Sequence, residues 1–415
     1  MGSLVINKET NMNSITNEFP GLNAEIDGEP VLYLDSAATS LKPKVMIDAI
    51  SRYYSGVACN VHRGKHFAME EVSNQYEQVR YNVANLIQCH GNEVVFVSNT
   101  TEAINMVASG LELQKDDLVL VSENAHHSNL LPWSSKAKTE IIVSLPNGAI
   151  DIEQYERLLQ QKPKVVALTH CSNVTGIYID LERMAALAKS VGAIVLVDAA
   201  QSIPHRKVSV KSGNIDFMCF SAHKMLGPNG VGVLYGKTDM LESLVPQTLG
   251  GGMVDWVEYD SFRLRKIPHR FEAGTPNIAG VIGFGASIDY LNRVGIDVIS
   301  EHDRRLGHFI LKEAKKRDYI KVICDDESLD RGAVLSFAIR GLDDLDDVSR
   351  YLSDSYGIIV RNGHLCAQPY TQSQTDGQVL RVSGYIYNSE EDIKTFFSAL
   401  DEICTSMLNI SSVSA

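Results

Sequence analysis

The chain has 415 residues, 44% of them hydrophobic, with a formal net charge of -13 at pH 7. That composition supports a large core in two domains, and the negative balance argues against nucleic acid or an anionic membrane as the main partner. No apolar run reaches membrane-spanning length, no signal or transit peptide is evident, and the seven cysteines are scattered without C-x-x-C spacing, so a reduced cytoplasmic protein without a metal site is expected.

Met1 to about Pro20 is polar and Asn-rich and reads as an arm. Val31–Asp35 alternates as a short strand, Ser36-Ala37-Ala38-Thr39 follows it, and Pro43 opens a helix. Asn60-Val61-His62-Arg63-Gly64 reads as a loop, and Glu70–Ile87 has apolar residues at helical spacing. Apolar strands are predicted at Glu93–Val97, Leu118–Ser122, Glu140–Ser144, Lys164–Thr169, Ala193–Asp198, Ile215–Phe220 and Val231–Tyr235. Helices at Thr101–Gly110, Ile152–Gln160 and Leu181–Val191 fall between several of them, which predicts a mostly parallel sheet covered on both faces. Gly250-Gly251-Gly252 marks a turn, and the polar, aromatic stretch from Met253 to Pro268 receives no assignment. Long helices at Ile278–Arg293 and Asp297–Arg317 lead to a smaller C-terminal domain with strands at Val334–Ile339, Ile358–Arg361 and Val379–Val382 and helices at Leu345–Ser355 and Glu390–Met407.

The chemistry gathers at predicted strand ends, where α/β proteins place ligands. Asp198 ends one apolar strand and is followed by Gln201; Lys224 follows another, in Ser221-Ala222-His223-Lys224. An acid that keeps a pyridine nitrogen protonated and a lysine that holds an aldehyde are what pyridoxal phosphate requires. Asn99-Thr100-Thr101-Glu102 opens a helix, where free N–H groups and hydroxyls suit a phosphate as well as a simple cap. His126, in Ala125-His126-His127-Ser128-Asn129, can lie over the pyridine ring and shuttle protons. Asn173 can bond the cofactor phenolate or a substrate carboxylate, or form a turn. In Arg361-Asn362-Gly363-His364-Leu365-Cys366, a cysteine sits in a Gly-containing loop with Arg361 and His364 close by, and positive neighbours favour the nucleophilic thiolate. Arg381, on the next strand, offers a planar guanidinium for an amino-acid carboxylate.

Taken in order, these motifs resemble the class V, fold-type I pyridoxal phosphate enzymes, and within them the group II (Suf-type) cysteine desulfurases, from about Tyr33 to the helix after Asn388. The resemblance implies a large α/β domain over residues 21–290 with a mostly parallel seven-stranded sheet, and a small C-terminal α/β domain over residues 291–415. It implies a cofactor phosphate held by Thr100, Thr101, Ser221 and His223, with Thr275 of Arg270-Phe271-Glu272-Ala273-Gly274-Thr275 reaching the phosphate of a neighbouring subunit in a homodimer. It implies conversion of L-cysteine to L-alanine with a persulfide on Cys366, passed to a small sulfur-acceptor protein; Arg381, Asn173, Arg361 and His364 would face the substrate. A related C–S or C–Se lyase such as a selenocysteine lyase, or a non-catalytic scaffold of the same fold, are the alternatives.

Overall fold

The computed structural model describes residues 15–62, 64 and 66–411; residues 1–14 of the expected arm and Arg63 of the Asn60–Gly64 loop lie outside the described residues. Its centre is a seven-stranded sheet. In chain order the strands are β1 (Val94–Val97), β2 (Leu118–Ser122), β3 (Lys138–Ile142), β4 (Val165–Thr169), β5 (Ile194–Asp198), β6 (Phe217–Ser221) and β7 (Gly232–Gly236). Their spatial order is β1-β7-β6-β5-β4-β2-β3. β7 runs antiparallel to both of its neighbours, while the remaining pairs are parallel. β3 lies two residues earlier than the apolar pattern predicts, because Lys138 to Ile142 pair with Leu118 to Ser122 and Ser144 instead bridges Ile150 beyond a turn.

Both faces of the sheet are covered, which explains why these strands are nearly continuous apolar runs. Side chains alternate: Val94, Phe96, Leu120, Val166 and Val195 join one buried cluster, and Val95, Val97, Val119, Val165 and Leu196 join another on the opposite face. The first cluster is closed by α1 (Lys44–Ser55), α2 (Phe67–Ile87) and the later helix α3 (Ile278–Val294). Gly283 and Gly285 let α3 approach closely: a Cβ on Gly283 would meet Ile50 at 2.7 Å, and one on Gly285 would meet Val79 at 2.5 Å. Phe19, at the end of the segment expected to be an arm, is buried edge-on against Tyr290 and Tyr387, with ring centroids at 5.8 and 4.9 Å.

The C-terminal part has a separate core around α4 (Ile296–Ala314) and α5 (Glu390–Ser411), packed on a four-stranded sheet. That sheet contains β8 (Ile320–Val322), β9 (Val334–Ile339), β10 (Arg361–Gly363) and β11 (Val379–Ser383) in the spatial order β8-β9-β11-β10, all antiparallel. The stretch expected as one strand over Ile358–Arg361 divides: Ile358–Ile359 pairs in parallel with Leu32–Tyr33, and Arg361–Gly363 crosses to β11. Part of the unassigned stretch forms a hairpin of Val254–Val257 with Phe262–Leu264, exposing Trp256, Val257 and Phe262. Among the described residues no helix is long and apolar enough to cross a membrane.

One buried ion pair ties α2 to the sheet. Arg80 donates to both oxygens of Glu272, at 2.6 and 2.9 Å, and also to the Val94 carbonyl at 2.8 Å. Phe96 N–H donates to Glu272 at 2.8 Å. Burial alone would raise the Glu272 carboxyl, but the Arg80 charge and the hydrogen bonds from His269, Arg80 and Phe96 N–H hold it down at about 2. Its folded value lies below its unfolded one, so this stabilisation is present above pH ~4.3 and is lost as the pH falls toward the folded value. Arg80→Met should therefore cost about 3–5 kcal/mol in urea denaturation at pH 7, and Glu272→Gln should flatten the loss of stability between pH ~4.3 and pH ~2.

Candidate active site

The strand register gathers the chemical residues at one edge of the sheet. Thr169 is paired with Asp198, Asp198 with Cys219, and Ser221 with Gly232, so the carboxyl ends of β4, β5 and β6 open on one crevice. The crevice is a cavity of about 330 Å³. Every residue expected at the site lines it except Thr275 and His364. The Cys loop between β10 and β11 supplies Leu365 and Cys366 to its far wall, with Arg361 and Arg381 beside them.

At the phosphate end, Asn99 caps the helix Thr100–Gly110; its side chain accepts from Glu102 N–H at 2.9 Å. Thr100 N–H donates to Ser221 Oγ at 2.8 Å, and Thr100 Oγ1 lies 2.6 Å from the same oxygen. Thr101 Oγ1 meets Ser128 Oγ at 2.7 Å. These hydroxyls and the helix N–H groups form a donor-rich cradle suited to a dianion. His223 completes that wall; burial, then the charges of Lys224 and Lys42, push its imidazole down to about 4, leaving it neutral.

Lys224 follows a short turn after β6. Burial pushes its ammonium down to about 8, against the attraction of Asp198 and with help from the charges of Arg381 and Arg361, so the free amine is far more accessible near neutrality than in an exposed lysine. Its position is held from below: the His223 carbonyl accepts from Ser40 N–H at 3.0 Å, Thr39 Oγ1 at 3.0 Å and Lys42 Nζ at 2.8 Å. Asp198 is buried, with Ala200 N–H donating to its Oδ1 at 3.0 Å. Burial raises its carboxyl, against that hydrogen bond and the Lys224 charge. His126 Nδ1 accepts from Ser128 N–H at 3.1 Å, which leaves the ring proton on Nε2. Burial, then Lys224, His127, Arg381 and Arg361, bring it down to about 4, so the ring is uncharged.

Arg381 is buried, donating Nη2 to Asp35 Oδ1 at 2.7 Å and Nη1 to the Asn173 carbonyl at 3.1 Å. Its Nε and the Asn173 Oδ1 are, among the described residues, buried without partners. Arg361 Nη1 lies 3.5 Å from Asp35 Oδ2. Cys366 is the exposed cysteine of the seven; the others are buried or half-buried. Leu365 and Cys366 both adopt φ of 54°, a left-handed pair without glycine that costs about 1–2 kcal/mol per residue.

The remaining expected residues play other parts. Gln201 Nε2 donates to the Ala37 carbonyl at 2.7 Å, so it also pins the wall formed by Ala37 and Ala38. His364 turns from the cavity, with Nδ1 3.1 Å from Thr371 Oγ1. Thr275 lies with Asn60 on a separate cavity of about 160 Å³. Nearby, His62, Glu77 and His269 bring possible ligand atoms within 4.8 Å of one another. Both Glu77 oxygens are bonded to Arg80, at 2.8 and 3.1 Å. Asp35, His127 and Lys42 carry no sequence motif of their own that singles them out.

The residues fit pyridoxal phosphate. A buried carboxylate can face a ring N–H, an unpartnered amide oxygen and an uncharged imidazole can meet the ring, and a cradle of donors can meet the phosphate. Because the folded value of the Asp198 carboxyl is raised, its charged form opposes folding above that value. Asp198→Asn should therefore raise the thermal midpoint of cofactor-stripped protein at pH 8 while speeding loss of the cofactor from loaded protein, followed by absorbance.

Comparison with known proteins agrees with this geometry. Residues 32–396 match the aminotransferase class-V family. A probable cysteine desulfurase of Halalkalibacterium halodurans is 39% identical over 94% of this chain and 98% of its own. The apo structure of the cysteine desulfurase from Thermococcus onnurineus superposes with a TM-score of 0.89 at 34% identity, covering 98% of this chain and 100% of that one. The Escherichia coli cysteine desulfurase CsdA gives a TM-score of 0.85 at 34% identity, over 94% and 98%. The chain belongs to the aminotransferase class-V family and, within it, to the cysteine desulfurases.

Proposed function

We propose that this desulfurase converts L-cysteine to L-alanine and collects the sulfur as a persulfide on Cys366. The observation that carries the proposal is the placement of the exposed cysteine on the same cavity wall as Arg381, facing a cavity that also contains Lys224 and Asp198. Pyridoxal phosphate, when bound, supplies an electron sink for the substrate carbon that carries the amine and the carboxylate. Asp198 would hold the proton at its ring nitrogen, Thr100, Thr101, Ser221 and His223 would hold its phosphate, and Asn173 Oδ1 is an acceptor facing the site.

The substrate carboxylate would have Arg381 and Arg361 as its cationic partners; Asp35 and the Asn173 carbonyl each take one N–H of Arg381, and the guanidinium has further donors. Lys224, with its ammonium pushed down to about 8, can take the α-proton; that proton and the one lost from the substrate thiol supply the two that the β-carbon and the α-carbon take up to give alanine. His126, uncharged, would face the cofactor ring without opposing a positive ring nitrogen. Cys366 Sγ then attacks the substrate sulfur: an S–S bond forms, the C–S bond breaks, and its electron pair stays with the carbon that is protonated to alanine.

The exposure of Cys366 supports onward transfer to a small sulfur-acceptor protein. Thr275, outside the cavity of its own chain, supports a homodimer in which it reaches the neighbouring subunit's phosphate. Separate cores support a large domain over 21–290 and a small one over 291–415. Seven free thiols suit the cytoplasm.

Borohydride treatment of the loaded protein is expected to fix the pyridoxyl group on the Lys224 peptide; a label on another lysine overturns that assignment. Cys366→Ala should keep the cofactor spectrum and lose persulfide and sulfide formation from cysteine by about two orders of magnitude or more. Mass spectrometry of the unsubstituted protein should show the added sulfur on the Cys366 peptide alone. Sulfide release at the normal rate by Cys366→Ala would favour a lyase instead.

A further inference from the structure

The Cys loop is fastened from across the cavity by a residue that takes no part in the desulfuration chemistry. His127 N–H donates to the Cys366 carbonyl at 2.7 Å. The His127 ring Nε2 accepts from Gln368 N–H at 3.1 Å. Both contacts follow directly on the sharp turn of the loop, where Leu365 and Cys366 are in the left-handed region. A third tie comes from Asn173, whose Nδ2 donates to the Leu365 carbonyl at 2.8 Å. Left-handed backbone at two successive non-glycine residues persists only where surrounding contacts over-determine it. These ties provide that constraint, and two of them come from one residue.

We propose that His127 is the positioning residue for Cys366, its main chain gripping the Cys366 carbonyl and its ring the amide two residues beyond, so that Sγ is presented to the cavity. The inference rests on the reading of Cys366 as the sulfur acceptor. The two adjacent histidines then have different roles, since His126 belongs to the cofactor side and lines the cavity, whereas His127 faces the loop. Since Nε2 must accept from Gln368 N–H, the ring serves in the tautomer that carries its proton on Nδ1. The bonded amide lies two residues beyond the thiol, so loss of the ring bond releases the loop without removing any group that touches cofactor or substrate.

The test compares His127→Ala with His127→Gln in the loaded enzyme; Gln Oε1 can reach the Gln368 amide much as Nε2 does, and both variants keep the main-chain bond. In His127→Ala, hydrogen–deuterium exchange at the Gln368 amide is expected to quicken by about tenfold, the energy of one neutral hydrogen bond. Single-turnover persulfide formation on Cys366 should slow by about the same factor, with KM for cysteine and the cofactor spectrum within about twofold of normal. His127→Gln should recover both readouts. Unchanged exchange and persulfide rates in His127→Ala overturn the proposal, as does a folded His127→Gln, checked by its thermal midpoint, that performs no better than alanine. If the unsubstituted enzyme forms no persulfide on Cys366, the acceptor reading is what falls, and exchange at Gln368 still decides whether His127 grips the loop.

Discussion

The buried carboxylate of Asp35 balances the two arginines of this site. Arg361 and Arg381 face each other in register on adjacent antiparallel strands, where like charges repel. Asp35 lies between them, bonded to Arg381 at 2.7 Å and 3.5 Å from Arg361. With that counter-ion, a guanidinium that is 2% exposed can stay in the small-domain sheet. Both arginines in turn lower the charged forms of Lys224 and His126. Burial is the larger cause that lowers both groups, and the same pair of cations adds to it while offering positive charge to a carboxylate.

Asp35 belongs to a segment that joins the two ends of the chain. Leu32–Tyr33 pairs with Ile358–Ile359, and Ala37 N–H donates to Ser383 Oγ at 3.0 Å. Tyr387 OH accepts from Leu41 N–H at 3.0 Å and lies 2.8 Å from Ser36 Oγ. Thr39, Ser40 and Lys42 then converge on the carbonyl that precedes Lys224. A displacement of this segment would move Arg361, Arg381 and Lys224 together. The Ser383-Gly384-Tyr385-Ile386-Tyr387 run is used for this packing, with Tyr385 OH donating to the Pro204 carbonyl at 2.7 Å.

The charged groups are held at opposing costs. Asp198 and Lys224 are both penalised by burial, and each partly offsets the other. The Cys loop stores backbone strain and is fastened by groups of the large sheet's loops in addition to its own turn bond from Ala367 N–H to the His364 carbonyl at 2.9 Å. Cys171 also lines the cavity, yet it is buried and burial raises its thiol, which makes it a poorer candidate for the proposed nucleophile than the exposed Cys366.

The local pattern was sufficient for much of this. Continuous apolar runs marked the central strands, because a sheet covered on both faces has no polar side to betray its period. Asp198, Lys224 and Cys366 were legible because each stands at a strand end or in a Gly-containing loop, with a residue type tied to one chemistry. The reversed direction of β7, the short helix Gln368–Gln374 and the split of Ile358–Arg361 were not, since each depends on which distant strand provides hydrogen-bond partners. Asp35, His127 and Lys42 are ordinary residues in sequence; only the fold brings Asp35 to Arg381 across 346 positions and His127 to Gln368 across 241. The sequence by itself determined most of the central strands and the residue types on which the proposed cofactor and sulfur chemistry rests, because propensity and side-chain chemistry are local. Tertiary structure alone decided the orientation and charge state of those groups, because burial and ion pairing are set by neighbours remote in the chain.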